Sequence, residues 1–389
     1  MILPMTEAWI VQAVRSPVAR AHPEQGIFRF VRPDDLSASI LENLVERSGI
    51  DPKMIDDVFW GCARQINEQG YNVARQAVLI AGLPLTVCGT TVNRNCGSSL
   101  EALHQAVRVI LTGENEVAVA GGVEHMHKAG WDTIPELSPQ MLKRYCADTF
   151  NMGMVCEHLA KTFQISRELQ DSFALRSHQR ASAASKEGLF KDEIIPTWGH
   201  APSGEYQLYS TDQTIRADTS LAALAKLKPA FLEAGTITAG NASPFSVGAA
   251  ATLVMADHKA KALGLTPLAK VKAMAVAGND PLLMGLGPVP AIQKILQRTG
   301  LSLNDIGIIE INEAFAAQVL SVAKELNIDP EKLNMLGGGL SLGHPLGATG
   351  ARIITTVVHQ MKRTKAKFAL VGMCIGGGQG IATLLETVS

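Results

Sequence analysis

Three reactive side chains stand in glycine-dense stretches of this sequence: Cys96 in VNRNCGSSL (92–100), His344 in GGGLSLGHPLGATGAR (337–352) and Cys374 in MCIGGGQG (373–380). A cysteine can serve as a nucleophile and a histidine as the base that takes its proton. A second cysteine, with a thiol pKa of roughly 8 to 9, suits proton transfer at the carbon α to a thioester. A lone cysteine or histidine is ordinarily a packing residue. Glycine clustered around all three changes that reading, because glycine lets the backbone turn at unusual φ and bring main-chain amides close to a ligand. Cys96 is expected to begin a helix, where the positive end of the dipole and unpaired amides favour thiolate and lower its pKa. Its amide can donate to an oxyanion, and the amides of Gly376, Gly377 and Gly378 can supply the other half of such a hole. The chemistry these residues imply is acyl transfer.

The elements that must position them alternate between strand and helix, which argues for an α/β architecture. After Cys96, Leu100, Leu103, Val107, Ile110 and Leu111 recur at helical spacing up to Gly113, and the strand EVAVAGG (116–122) follows. After His344, ARIITTVVHQM reads as helix and FALVGM (368–373) as strand. Both reactive residues therefore precede a helix that leads to a strand. SGIDPKMIDDVFWG (48–61) and TGLSLNDIGIIEIN (299–312) share a glycine, a helix-start-like stretch and a strand in one register. AWIVQAVRSP (8–17) and LAKVKAMAVAG (268–278) both read as opening strands. These pairs predict an internal duplication. Residues 125–240 are amphipathic and poor in strand pattern, as in SRELQDSFALRSHQRASAASKEG (166–188). They read as an inserted, mostly helical lobe beside the pocket. The expected division is 1–124 for the N-terminal half, with 241–265 returning to it, 125–240 for the insert, and 266–389 for the C-terminal half.

The 389 residues can bury a large core, and a formal net charge of −1 favours neither nucleic acid nor an anionic membrane as partner. Six cysteines without disulfide or zinc spacing suit a reducing compartment and no metal. The segment MILPMTEAWIVQAVRSP lacks the pattern of a secretory signal, no apolar run is long enough to span a bilayer, and LLETVS is no peroxisomal address. The expectation is a cytoplasmic protein.

The box around Cys96, NEAFAAQ (312–318), GHPLGATGAR (343–352) and CIGGGQG (374–380) together resemble the thiolase family, in matching order along nearly the whole chain. WGCARQINEQGYNVAR (60–75), GGVEHM (121–126), EIIP (193–196) and MGLGPVPA (284–291) resemble its bacterial β-oxidation branch. The resemblance implies a duplicated, five-layered αβαβα fold that carries the inserted lobe. It implies CoA-dependent cleavage of 3-oxoacyl-CoA to acetyl-CoA and a shortened acyl-CoA. No cofactor is implied, because CoA is a substrate. Cys96 would be acylated. His344 would activate it and point at the thioester oxygen. Asn312 would hold a water completing an oxyanion hole, and Cys374 would move the proton at carbon α. The amides of Cys96 and Gly376 would stabilise the tetrahedral intermediates. Ser243, in TAGNAS (238–243), would contact pantetheine; Met126 and Met152 would line the acyl pocket; Arg216 would lie near the CoA nucleotide. A homodimer or larger assembly is implied, as is a partner carrying hydratase and dehydrogenase activity.

The chain departs from the family at several points. Val247 stands where aspartate is usual, Pro244 is inserted nearby, and the Met-Gly-x-Thr-Ala-Glu stretch reads Met152-Gly153-Met154-Val155-Cys156-Glu157. His127 and Lys128 follow Met126 where small or apolar residues are common. Val247 is expected in a CoA-binding loop, where Val247→Asp would be tolerated and would alter CoA affinity. Cys62, Cys88 and Cys146 read as incidental thiols, and His104 and His359 as core-edge or surface residues. Glu124 and Glu313 could orient their neighbours or simply fill structural roles. The competing readings are a decarboxylating ketoacyl synthase, which has a second histidine where Asn312 stands and lacks Cys374, a biosynthetic acetoacetyl-CoA thiolase, and a non-catalytic CoA-binding subunit.

Overall fold

Two copies of one strand–helix unit build this molecule, described by the computed structural model over residues 6–130 and 137–388. The first copy runs through β1 (Ala8–Arg15), α1 (Pro33–Ser48), β2 (Asp57–Gly61), α2 (Val73–Ile80), β3 (Cys88–Val92), α3 (Ser98–Leu111) and β4 (Val117–His125). The insert follows, with α4 (Met152–Thr162), α5 (Arg167–Lys186) and a hairpin of β5 (Thr197–His200) and β6 (Tyr206–Tyr209) that the sequence pattern did not signal. Strand β7 (Ser246–Ala256) returns to the first copy. The second copy contains β8 (Ala269–Gly278), α6 (Pro288–Thr299), β9 (Ile308–Ile311), α7 (Ala316–Leu326), α8 (Thr349–Thr364), β10 (Phe368–Ile375) and β11 (Gln379–Glu386).

The strand order shows the duplication. In the first copy β1, β7 and β4 pair antiparallel, and β4, β2 and β3 parallel. In the second, β8, β11 and β10 pair antiparallel and β10 runs parallel to β9. A parallel bridge between Ile309 and Leu333 stands where the first copy has β3. Among the described residues, the strands of the two copies join into one sheet through the pairs Trp9 with Lys270 and Ile10 with Ala269. The glycines matched in the sequence explain part of this repetition. Gly49 (φ 69°) and Gly300 (φ 70°) end α1 and α6 in the left-handed conformation that glycine adopts most readily.

Side-chain alternation along the strands divides the interior into three main cores and so produces five layers. In β4, Val117, Val119 and Val123 face α1 and α2, whereas Ala118 and Ala120 face the central helices. In β10, Phe368 and Leu370 face α6 and α7, whereas Ala369, Val371, Met373 and Ile375 face inward. β1 changes phase partway, with Ile10 and Ala13 central but Trp9 and Val14 outer, because its register slips between Ile10 and Gln12. Helices α3 and α8 fill the central layer. Of the periodic residues of α3, Leu100, Leu103, Val107 and Ile110 are buried, and Leu111 is exposed. The helix ends at Leu111, and Gly113 closes the turn with φ 75°.

Two histidines expected at the core edge or the surface are buried. His104 Nε2 meets Thr383 Oγ1 at 2.8 Å, joining α3 of one copy to β11 of the other. His359 Nε2 meets the Ala13 carbonyl at 3.0 Å. Buried imidazoles need such partners, and sequence spacing cannot show where they come from.

Val247 is a second correction. It belongs to β7, not to a loop, and pairs with Ala19 on one side and His125 on the other. Its side chain is 0% exposed within the outer core of the first copy. An isolated carboxylate placed there would lose its hydration without an ionic partner. Val247→Asp is therefore expected to destabilise the fold by several kcal/mol, on the order of 3. Chemical denaturation checks this; a variant as stable as the parent would place the side chain in a polar environment instead.

Candidate active site

Cys96 sits two residues before α3, in a tight turn, and Gly97 is the helix N-cap. Asn95 takes φ 45° to make this turn, and its side chain donates to the Gly376 carbonyl at 3.0 Å. That bond holds the turn after β10 against the Cys96 turn. The backbone N–H groups of Gly376 and of Cys96 itself both point at the Cys96 sulfur. Arg94 secures the same turn from below, with Nε 3.1 Å from Glu101 and Nη1 3.1 Å from Gln379.

The expected low pKa of Cys96 does not hold. Burial pushes the thiol up to about 11, against the opposing pull of the two amides. The residue is half-buried at the end of the turn and so keeps an opening to solvent. The thiol stands outside the first helical turn, where the dipole is weaker, and desolvation of a thiolate outweighs what remains.

Cys374 is the second-to-last residue of β10, opposite Gly380 of β11, and is 1% exposed. Burial pushes its thiol well above the ordinary range, and the neighbouring Cys96 adds to the shift. The direction is away from the pKa near 8 to 9 that the sequence suggested. Val155, Met284 and Ala314 surround it, with Met152 and Phe315 packed alongside. The three glycines after it form the hairpin turn. Gly377 and Gly378 adopt φ 87° and 78°, and a Cβ on Gly378 would fall 2.4 Å from the Asn279 carbonyl.

His344 lies in the turn before α8 and is 4% exposed. Its backbone N–H donates to Ser246 Oγ at 3.1 Å, and its Nδ1 lies 2.7 Å from Thr349 Oγ1. Gly343, at φ 85°, permits the approach, since a Cβ there would meet Ser246 Oγ at 2.6 Å. Burial, with the positive charge of Arg352, lowers the imidazole pKa to about 3, so the ring is neutral. Asn312 follows β9; its Nδ2 is 3.4 Å from both ring nitrogens, and its buried Oδ1 has no partner among the described residues.

Two buried carboxylates shape the turns around these residues. Glu124 accepts from the backbone of Ala63, Arg64 and Gly347 and from Gln69 Nε2. Glu313 accepts from Ser177 Oγ, Asn334 Nδ2 and the Leu340 amide. Thr349, Ser246 and Asn95 were not singled out in the sequence, although two of them lie inside its glycine-rich boxes or one residue from a reactive side chain. Ser246 had no local signal.

The remaining sequence candidates divide into two groups. Met152 lies with its sulfur 3.5 Å from where a Cβ on Gly376 would be, and Met126 accepts the Ser246 amide proton at 3.2 Å. Both therefore border the reactive cluster. Ser243 is half-buried in the loop after the insert, where its amide donates to the Ala314 carbonyl at 2.9 Å. Arg216 is exposed and stands apart, at a small cleft with Arg20, His178 and Thr214, bounded by Ala242 and Pro244 on either side of Ser243. Of the incidental thiols, Cys62 is buried, whereas Cys88 and Cys146 are exposed. No group of three or more metal-ligating side chains occurs among the described residues.

Comparison with known proteins agrees with this geometry. Residues 8–258 match the thiolase N-terminal domain and residues 265–387 the thiolase C-terminal domain. The chain is 50% identical to a 3-ketoacyl-CoA thiolase of Photobacterium profundum over 389 residues, covering 99% of this chain and 100% of that one. It is 49% identical to one of Vibrio cholerae, covering 98% and 100%. The crystal structure of the Bacillus anthracis acetyl-CoA acetyltransferase superposes with a TM-score of 0.90 at 40% identity, covering 99% of each chain. Human mitochondrial 3-ketoacyl-CoA thiolase also gives 0.90, at 35% identity, covering 99% of this chain and 100% of that one. With both domain models matched in order and half its residues shared with a full-length relative, the chain belongs to the thiolase family.

Proposed function

We propose that this enzyme is a 3-oxoacyl-CoA thiolase, an acyltransferase that uses CoA to cleave 3-oxoacyl-CoA into acetyl-CoA and a shortened acyl-CoA. The observation that carries the reading is the pair of amides, from Cys96 and Gly376, aimed at a sulfur that has a second thiol beside it on the Gly376 hairpin. The Cys96 sulfur attacks the 3-oxo carbon as its proton passes to His344 Nε2, and the carbonyl electron pair moves onto oxygen between the two amides. Collapse restores the carbonyl and breaks the bond between carbons 2 and 3. The electron pair then lies on carbon 2, as an enolate whose oxygen faces His344 and a water that Asn312 Oδ1, unpartnered among the described residues, would hold. Cys374 gives its proton to carbon 2, releasing acetyl-CoA. Incoming CoA returns a proton to Cys374 and attacks the acyl-cysteine. As that tetrahedral adduct collapses, the Cys96–acyl bond breaks and the departing sulfur takes back the proton held on His344 Nε2, which regenerates the Cys96 thiol. A thiol kept protonated by burial suits the donor step.

Met126 and Met152 line the acyl channel in this reading, and Ser243 contacts pantetheine. Arg216 and Arg20 support a site for CoA phosphate, because they line one cleft and their positive charges act on each other there, with Asp218 opposing in part. The division into two thiolase halves and the 125–240 insert belongs to the same proposal. So does a cytoplasmic location, with a hydratase/dehydrogenase subunit as partner; no helix among the described residues is long and apolar enough to cross a membrane. We also propose a homodimer or larger assembly. Strand β3 is a sheet edge that leads directly into the Cys96 turn, and Tyr71, Leu79, Ile80 and Leu85 are exposed near it. An open edge bordered by apolar side chains is a template for pairing.

Three outcomes are expected. Because Cys96 is a thiol at rest, its alkylation by iodoacetamide should still be accelerating above pH 9; a plateau near pH 7 would mean that a thiolate is already formed. Cys374→Ala should still form an acyl-enzyme at Cys96 from a simple acyl-CoA but lose thiolysis by roughly 10²–10⁴-fold, whereas Cys96→Ala should not acylate at all. Retention of deuterium exchange at the acetyl-CoA methyl by Cys374→Ala would reassign the proton transfer. In sedimentation the protein should be dimeric or larger, and Ile80→Asp with Leu85→Asp should shift it towards monomer. A fully active parent monomer would overturn the assembly proposal.

A further inference from the structure

The His344 ring is held by one short, directed side-chain bond, and that bond has a defined direction. Thr349 Oγ1 lies 2.7 Å from His344 Nδ1 and 3.0 Å from the Pro345 carbonyl. A carbonyl can only accept, so the arrangement that satisfies both contacts sends the single hydroxyl proton of Thr349 to Pro345, whose carbonyl also accepts from the Ala348 amide. The oxygen then faces the imidazole with its lone pairs and accepts from Nδ1–H. Asn312 does not compete, because its amide nitrogen is 3.4 Å from both ring nitrogens and favours neither. Ser246 binds the His344 backbone and not the ring. Thr349 is itself fixed: it is fully buried at the first position of α8, so its hydroxyl has no solvent to turn towards.

We propose that Thr349 is a positioning residue for the thiolase reaction, one that fixes His344 as the Nδ1–H tautomer and leaves Nε2 bare to take the Cys96 proton. The inference rests on the acyl-transfer reading of this site. A neutral imidazole can be a base through one nitrogen only, and the hydrogen bond at the other nitrogen decides which. With the opposite tautomer Nε2 would carry a proton and could not accept one from the thiol. Threonine supplies this orientation without a negative charge. It therefore leaves the ring neutral and does not favour an imidazolium in the resting enzyme.

The test combines a spectroscopic and a kinetic measurement on the full-length protein. Nitrogen-15 NMR of labelled histidine, in the absence of substrate and near neutral pH, should show His344 protonated at Nδ1 and bare at Nε2. Thr349→Val should lose this preference and acylate Cys96 more slowly by at least roughly 10-fold, less than or equal to the 10²–10⁴-fold that general-base catalysis supplies. Thr349→Ser, which keeps the hydroxyl, should restore both the tautomer and the rate. A parent His344 protonated at Nε2 would overturn the proposal, as would Thr349→Val acylating at the parental rate or Thr349→Ser as slow as Thr349→Val. If Thr349→Val fails to fold, the parent spectrum and the serine variant decide. Failure of the parent enzyme to acylate at Cys96 would sink the thiolase reading, and the tautomer measurement would stand apart from it.

Discussion

Everything at this site depends on how closely the first turns of α3 and α8 meet in the central layer. A Cβ on Gly350 would fall 2.5 Å from the Leu100 amide nitrogen, so the two helix starts touch backbone to backbone. Ser99 Oγ then accepts the Ala351 amide proton at 2.9 Å, satisfying one of the orphan donors of α8. Gly61 and Gly122 extend the same constraint into the sheet, since a Cβ on either would strike Ser99 or its peptide. The turn bearing Cys96 leads into one helix and the turn bearing His344 leads into the other. Pressing the helix starts together brings the turns that carry Cys96 and His344 into one region of the central layer.

Around that contact the protein uses buried carboxylates as braces for turns. Glu124, at the end of β4, gathers backbone from residues 63–64 and from Gly347 near α8. Glu313, one residue beyond Asn312, gathers α5 of the insert together with the turn at 338–341. Arg15 ties the insert to β1 through Glu193 at 2.6 Å and Asp212 at 2.7 Å, all three fully or nearly buried. Removing one partner from such a group strands a charge without water, so these residues specify geometry at a cost that only complete pairing offsets. They keep the loops near the reactive thiols rigid without contributing to the proposed chemistry.

Desolvation sets the ionisation of the reactive groups. It raises both thiols and lowers the imidazole, so the resting site holds neutral groups: two thiols and a neutral ring. A neutral site in an apolar setting has little stake in a preformed thiolate–imidazolium pair. In the proposed mechanism the proton moves as the sulfur attacks, when the amides of Cys96 and Gly376 can hold the negative charge that appears on oxygen. Preorganised donors in a dry environment act most strongly on charge that develops during the reaction.

The sequence by itself determined the local matters. Glycine-rich boxes singled out Cys96, His344 and Cys374 as candidates, periodicity placed α3 and α8, and the shared register of residues 48–61 and 299–312 exposed the duplication. Each of these is encoded by neighbours in the chain: capping glycines, apolar spacing, the turn before a helix. Only the tertiary structure decided what depends on partners from far away. Val247 reads as a loop residue until β7 is seen between β1 and β4, and His104 reads as a core-edge residue until Thr383 arrives from the other copy. The pKa direction of Cys96 turned on the same point. A helix start is visible in sequence and argues for thiolate, but the burial that reverses it is assembled from both copies and the insert. Desolvation is a property of everything packed around a group, and no stretch of sequence contains it.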